Sequence, residues 1–237
     1  MNIEIFSEEI NKVFENCGLK LSKAEVNNFY KYMCNLVEWN EKINLTAITE
    51  PKEIITKHFV DSVIIHKYIK GERVLDIGSG AGFPGIPLRI YDENLDILLV
   101  DAVNKKVNFM LDTIEKLKLS NITAIHERAE KLAIDNKYRE TYDIVVSRAV
   151  ANMTTLIEYM LPFVKIGGKC ICLKGPNMED ELEEAKKAIN ILGGRIEQIE
   201  KYNVLDNERT CIIIVKEKST PKGYPRQLGK PSKEPLK

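Results

Sequence analysis

The segment Val74-Leu75-Asp76-Ile77-Gly78-Ser79-Gly80-Ala81-Gly82-Phe83-Pro84-Gly85 restricts the fold more than any other part of the chain. Residues 74–77 form a short apolar run of β character, and residues 87–91 resume with helical character. The glycines between them permit positive φ and let a ligand approach the backbone closely. The helix start that follows favours negative groups. Strand, glycine turn and helix in this order predict the opening unit of a doubly wound α/β fold, with a nucleotide-type ligand at the strand end. A plain packing turn is the alternative, and three glycines at one strand end weigh against it.

The alternation continues downstream. Strands are predicted at residues 97–100, 122–125, 144–146 and 171–173, the last after a turn at Gly167-Gly168. Val107, Met110, Leu111, Ile114 and Leu117 recur at helical spacing, and residues 153–164 also read as helical. Met178, Leu182, Ala185, Ile189 and Leu192 mark a further helix, stopped by Gly193-Gly194. Residues 195–199 and 211–215 read as two last strands joined without a helix, which predicts an antiparallel pair. The expected architecture is an α/β, mostly parallel sheet of seven strands with an antiparallel final pair.

The first seventy residues are helical instead. Ser22-Lys23-Ala24-Glu25 matches a capping box, followed by an apolar stripe of Val26, Phe29, Tyr30, Met33 and Val37. Residues 40–50 are polar and leave the helix. Pro51 suits the first position of another helix, which carries Ile54, Ile55, Phe59, Ile65 and Tyr68 and closes at Gly71. The expected organisation is a helical extension over residues 1–71 packed on the core, a ligand-binding domain over 72–216 and a basic tail over 217–237.

Composition narrows the function. The 237 residues, 44% hydrophobic and 30% charged, suffice for one α/β domain with an appendage. No apolar run approaches the roughly 18 residues that span a bilayer. Met1-Asn2-Ile3-Glu4 has neither the basic nor the apolar region of a secretory signal, so a cytoplasmic protein is expected. Lys and Arg number 35, as do Asp and Glu, which excludes whole-surface attraction to nucleic acid. Residues 216–237 nevertheless hold seven basic groups against two acidic ones, a net +5 after a body of −5. This suits either an anionic partner touched at one place or a solvated terminus. The five cysteines are odd in number and form no CxxC pair, which argues against a disulfide framework or a zinc site. Cys170 and Cys172 are expected to serve as small core residues.

The glycine spacing also selects among ligands. Phe83 stands where a G-x-G-x-x-G dinucleotide fingerprint has its third glycine, and the Gly-Lys-Ser/Thr ending of a phosphate loop is missing. Asp-x-Gly-x-Gly, beginning at Asp76, points instead to S-adenosylmethionine. A carboxylate there attracts an ammonium and a sulfonium and would repel a pyrophosphate. Asp101 ends the second strand 23 residues past Gly78, where an acid is expected to meet ribose hydroxyls. A dinucleotide and an adenosyl group would use it equally.

Several segments together resemble the glucose-inhibited division protein B family, class I S-adenosylmethionine-dependent methyltransferases of Rossmann-like fold that modify a guanine at N7 in small-subunit ribosomal RNA. They are Trp39-Asn40, Asn44-Leu45-Thr46, His58-Phe59-Val60-Asp61-Ser62, the run from Asp76 to Pro87, Arg128-Ala129-Glu130, Ser147-Arg148-Ala149, Leu173-Lys174-Gly175, Tyr224-Pro225-Arg226 and Gly229-Lys230-Pro231. The glycine loop alone is generic; the Phe-Pro-Gly-Ile-Pro continuation, Ser-Arg-Ala and the Tyr-Pro-Arg tail are specific. The resemblance implies S-adenosyl-L-methionine as cofactor, with contacts at Gly78 and Phe83, at Ala129 and Glu130 beside the adenine, and at Arg148 at the mouth of the transfer site. Gly80 and Asp101 complete the expected cofactor set. The implied partner is 16S ribosomal RNA or a subunit assembly particle, with no metal and a monomeric protein. Arg226 and Lys230 are the expected RNA contacts, on a tail that orders on RNA through phosphates.

Guanine N7 is a lone-pair nucleophile without a proton to lose, so no general base is expected. Alignment and exclusion of water should carry the rate. Arg148 is the candidate for positioning the base, because N7 and O6 are both acceptors; an ion pair to a neighbouring acid is the alternative. His58 and Asp61, one helical turn apart, are expected to pair structurally. Trp39 is expected to pack rather than stack on a base. Three other readings compete: a methyltransferase for a small molecule or a protein, an NAD-dependent oxidoreductase, and a non-catalytic RNA-binding module. The oxidoreductase is disfavoured by Phe83.

Overall fold

The computed structural model describes residues 1–71, 73–148, 151–205 and 207–236. Two helices come first, α1 (Ile3–Asn16) and α2 (Lys23–Asn40). Ser22 and Glu25 form the reciprocal capping box at the start of α2. Residues 41–50 form a loop, and Pro51 then opens a continuous helical stretch. It is not uniform. A turn of α-helix (α3, Pro51–Ile54) passes into π-helix (Ile55–Val60), then α4 (Asp61–Val63), then a 3-10 segment (Ile64–Tyr68). The widened turn includes His58 and directly precedes Asp61, two residues of the cleft described below; π-turns are frequent at functional sites.

The sheet is built from β1 (Arg73–Ile77), β2 (Asp96–Asp101), β3 (Ile122–His126), β4 (Tyr142–Arg148), β5 (Val164–Lys174), β6 (Gly194–Val204) and β7 (Asn207–Lys216). Their order is β3-β2-β1-β4-β5-β7-β6, and β7 alone runs against the rest. The parallel crossovers are α5 (Gly85–Tyr91), α6 (Asn104–Leu117), α7 (Ala129–Leu132), α8 (Met153–Met160) and α9 (Glu179–Ile191). Strand order reverses between β1 and β4, so the crevice beyond their carboxyl ends is where such sheets take ligands.

Alternation along the strands separates two cores. Val74, Ile97, Leu99, Ile144, Val146, Ile171 and Ile213 pack under α5, α6 and the N-terminal helices. Leu75, Ile77, Val145, Cys170, Cys172, Ile212 and Ile214 pack under α7, α8 and α9. The N-terminal helices thus share a core with the sheet: Phe29, Tyr32 and Phe59 are fully buried in the same cluster as Ile86 and Phe109. Trp39 packs edge-on against Phe109, and its indole N–H donates to Asp112 at 2.7 Å, as a packing residue should.

Local differences from the sequence reading have plain causes. Gly167 and Gly168 lie within β5 rather than before it. They occupy the irregularity where Tyr142 pairs with Val164 but Ile144 pairs with Lys169, so the extra residues bulge outward. The helix expected to reach residue 164 ends at Met160, and Pro162 sits in a 3-10 turn before β5. Leu111 is exposed on α6, and Phe109 with Thr113 takes the inner face. Tyr32 and Leu36, rather than Tyr30 and Val37, complete the buried stripe of α2.

Candidate functional site

The loop after β1 is fixed by its own backbone and by acids on either side. Gly78 and Ser79 donate N–H to the Val100 carbonyl at 2.8 and 3.2 Å. The Ser79 hydroxyl donates to Asp76 O at 2.9 Å and accepts from Val100 N–H at 3.2 Å. Gly78, Gly80 and Gly82 all have positive φ, at 72°, 60° and 87°. A Cβ at Gly82 would overlap Ile86 at 2.4 Å and the Tyr32 hydroxyl at 2.9 Å, whereas one at Gly80 would meet only Gly78 O at 3.9 Å. The glycine at 82 is demanded by packing from below. Gly80 faces open space along a cavity.

Asp76 and Asp101 brace this loop. Asp101 Oδ2 accepts Gly80 N–H at 2.9 Å and Oδ1 accepts Val103 N–H at 2.8 Å. Asp76 is fully buried, and its Oδ2 accepts Gly85 N–H at 2.9 Å. Its Oδ1 has no hydrogen-bond partner among the described residues. Burial pushes the Asp76 carboxyl up to about 7, against the Gly85 N–H and the field of Arg148. From beneath, the Tyr32 hydroxyl on α2 donates to the Ala81 carbonyl. Tyr32 is a support that the sequence reading missed; its signal was a tyrosine among the apolar positions of a helix.

Arg148, at the end of β4, is the centre of a second group. Its Nη1 donates to Lys57 O at 2.9 Å and lies 3.3 Å from Asp61 Oδ2. Its Nη2 lies 3.0 Å from His58 Nδ1, and the guanidinium sits 4.7 Å from the centroid of the Phe83 ring. Nδ1 of His58 also lies 3.1 Å from Lys57 O, so it faces a donor and an acceptor at once, and Nε2 lies 2.9 Å from Thr46 Oγ1. Burial first, and Arg148 second, pull His58 down to about 3, so it stays neutral. Its ring stacks on Phe83 at 4.4 Å. Asp61 is held further by Tyr202 OH at 3.3 Å and by Arg209 Nε at 3.5 Å. The expected His58–Asp61 pair is therefore mediated: the two meet through Arg148. Arg148 does have its acidic partner, yet Nε–H and one Nη2–H keep no partner among the described residues.

The loop carrying Thr46 is ordered by Asn40. Its Oδ1 accepts the N–H groups of Leu45 and Thr46 at 2.8 and 3.0 Å, and its Nδ2 donates to Thr46 O at 3.0 Å. This gives Asn40, Leu45 and Thr46 a shared physical role at the rim of the cleft.

Three cavities run along the carboxyl edge of the sheet. One of about 240 Å³ is lined by Gly78, Gly80, Phe83, Lys106, His58 and Arg148, among others. A second of about 110 Å³ continues past Gly78 to Ala129, Glu130 and Tyr159. A third of about 310 Å³ shares His58 and Arg148 with the first and adds Asp61, Lys174, Gly175 and Arg209. Gly78, Gly80, Phe83, Ala129, Glu130 and Arg148 thus line connected space, with Asp101 fixing the loop behind it. A larger cavity of about 540 Å³ lies elsewhere, between the start of α2 and the ends of α5 and α6.

The tail is packed against the body of the protein, on α8. Arg226 makes bidentate contact with Glu158 of α8, which is fully buried, with Nη2 to Oε2 at 2.7 Å and Nε to Oε1 at 3.0 Å. Its guanidinium is therefore occupied within the chain rather than free for phosphate. Lys230 remains exposed, 3.9 Å from Glu234. The tail ends in α10 (Lys230–Lys233), which packs on α8. Its prolines and single arginine looked like a solvated strap because the acid that anchors it lies 68 residues away. Ala149 of the Ser-Arg-Ala segment lies outside the described residues. No group of three or more His, Cys, Asp and Glu side chains that could hold a metal occurs among the described residues, and no described helix is long and apolar enough to cross a membrane.

Comparison with known proteins shows the fold and the family. Solved methyltransferases share the fold at low identity. The magnesium protoporphyrin IX methyltransferase of Synechocystis, solved with bound SAM, has a TM-score of 0.55 at 16% identity, over 83% of this chain and 98% of that one. A SAM-dependent methyltransferase from Aquifex aeolicus has a TM-score of 0.54 at 17% identity, over 76% and 98%. The ribosomal RNA small subunit methyltransferase G of Clostridium novyi is 46% identical over the full length of both chains. That of Acetivibrio thermocellus is 48% identical over 92% of each. The model of the GidB family, described as rRNA small subunit methyltransferase G, matches residues 25–210. The chain belongs to the GidB family of rRNA small subunit methyltransferases.

Proposed function

We propose that this protein transfers a methyl group from S-adenosylmethionine to N7 of a guanine in small-subunit ribosomal RNA. The observation that carries the reading is the junction of cavities at Arg148 and His58. A glycine-lined space after β1 and a basic, purine-sized space beside β4 meet at these two residues.

The residues fit the cofactor. Gly80 leaves room where any Cβ would intrude, and Asp76 holds a buried, half-satisfied carboxyl beneath the loop, suited to a ligand with two cationic centres. When bound, S-adenosylmethionine supplies an electrophilic methyl on sulfonium sulfur. Gly78 and Gly80 would line its amino-acid and ribose side, with Asp101 near the ribose. Ala129 and Glu130 would border the adenine. Phe83, stiffened by His58 and Arg148, would give the methyl-bearing end an apolar wall.

The chain's own work is positioning. Guanine N7 offers its lone pair to the methyl carbon and loses no proton, so the cleft needs no base; the neutral His58 is turned to Arg148 and Thr46 instead. The remaining N–H donors of Arg148 would hold the purine through O6 and set N7 in line. Lys57, Lys174 and Arg209 line the mouth but are paired with Glu53, Glu181 and Asp61, which leaves the exposed Lys230, away from that mouth, as the candidate for RNA phosphates. The helical extension over residues 1–71 serves this arrangement by supplying Thr46, His58 and Asp61. Nuclease digestion and mass analysis of 16S rRNA from cells lacking the protein test the reading. One N7-methylguanosine should disappear and return on complementation; an unchanged digest contradicts it.

A further inference from the structure

The C-terminal strap forms the outer support of the cofactor cleft at its far end. Glu130 is 4% exposed and borders the cavity beyond Gly78. Its Oε1 accepts the backbone N–H of Gly229 at 3.0 Å. Gly229 has φ of 76°, so the chain turns there in a conformation that aims this N–H at α7. Two residues on, Pro231 is buried and its carbonyl accepts the Thr155 hydroxyl at 3.0 Å. Ser232 faces Tyr159, the other side chain of this cavity wall that is carried by α8.

Upstream anchors hold the strap in register. Arg226 donates its backbone N–H to Glu158 Oε1 at 2.7 Å, besides the two side-chain contacts already described. Arg139 donates to Tyr224 O at 2.8 Å and Thr220 O at 2.9 Å. Lys216, fully buried, donates to Leu161 O at 2.7 Å and to the Thr220 hydroxyl. A surface tail with no task would not need a buried carboxylate as its clamp, because leaving Glu158 unpaired is costly. The clamp, the Thr155 bond and the Gly229 bond all fall on α7 and α8, the two elements that wall the same small cavity.

We infer that residues 221–234 are positioning residues for the cofactor: they hold Glu130 and Tyr159 in place and so set the affinity of the adenine subsite. This rests on the reading that the Ala129–Glu130 cavity takes the adenine. Loosening the strap should raise the dissociation constant and KM for S-adenosylmethionine and leave kcat at saturating cofactor nearly unchanged. A role in folding alone would lower the active fraction, and thus kcat, without moving KM.

The test is calorimetric titration with S-adenosylhomocysteine, alongside methyl-transfer kinetics. The variants are a chain ending at Thr220, Arg226→Ala, Thr155→Val, and the exposed Arg195→Ala on β6 as control. Dichroism and thermal melting report folding. The truncated chain should bind at least tenfold more weakly, Arg226→Ala and Thr155→Val a few-fold more weakly, and Arg195→Ala as the parent does. If the truncation fails to fold, the two point variants decide. Unchanged dissociation constants and KM in the folded strap variants overturn the inference. A parent protein that binds neither S-adenosylmethionine nor S-adenosylhomocysteine overturns the site reading itself, a separate outcome.

Discussion

Gly80→Ala separates the backbone need of a glycine from the space need of a ligand. Gly80 has φ of +60°, and an added Cβ would meet no protein atom nearer than Gly78 O at 3.9 Å. Gly167 has φ of +84° and nothing within 4 Å of the same added atom. It lies in the exposed bulge of β5, at the opposite edge of the sheet. An alanine forced into the left-handed region costs about 1–2 kcal/mol, so both variants should lose that much stability in urea unfolding. They should part on cofactor binding. The methyl group at residue 80 enters the cavity shared with Phe83 and Arg148, where overpacking costs about 1–3 kcal/mol and weakens binding roughly 5- to 150-fold. Calorimetry with S-adenosylhomocysteine is the assay, with Gly167→Ala as the matched control. Equal binding by the two variants would refute the assignment of the cavity, whatever their stabilities.

Other consequences concern charge. His58 is held near 3 in the fold and protonates near 6.5 when unfolded, so its neutrality stabilises the fold above pH 6.5 and is lost as pH falls. Between pH 8 and pH 5 this removes about 2 kcal/mol. Asp76 has the opposite slope: raised to about 7 from 3.8, it strains the fold at pH 8 and relaxes on acidification, returning roughly 2–3 kcal/mol over the same range. Urea midpoints of the parent should vary little from these two groups, while those of His58→Gln should rise as pH drops; parallel profiles would contradict the His58 assignment, and a flat profile of the variant that of Asp76. Arg148→Lys should lose methyl transfer tenfold or more, since one ammonium cannot reproduce contacts to Lys57 O, Asp61, His58 and the Phe83 face. Full activity in single-turnover assays of that variant would remove Arg148 from the site.

Much of the fold was legible because its signals are local. The capping box at Ser22, Pro51 at a helix start, the glycine loop and the period-two strands each act within a few residues. Even the antiparallel final pair could be read from the missing helix between its strands. The backbone of the cleft was legible where one motif carries it, since Gly78 and Gly80 take the positive φ that a glycine turn predicts. It was not legible where distant residues meet. Tyr32 under the loop, Arg209 on Asp61 and Glu158 on Arg226 are each brought in from another element, and nothing near them in sequence announces the partner. The anchor of the tail was hidden for that reason, since the buried carboxylate that holds Arg226 lies 68 residues away in sequence. Arg148 shows the same limit, since its acidic partner Asp61 lies 87 residues away in sequence.

The most direct measurement follows the methyl group itself. Purified protein, small-subunit ribosomal RNA and S-adenosylmethionine carrying a deuterated methyl are mixed for one turnover, and the digested nucleosides are weighed by mass spectrometry. Label confined to N7 of one guanosine is the result this site geometry requires. Label on an exocyclic or carbon position, or none despite measured cofactor binding, would contradict a cleft built to align an unactivated lone pair.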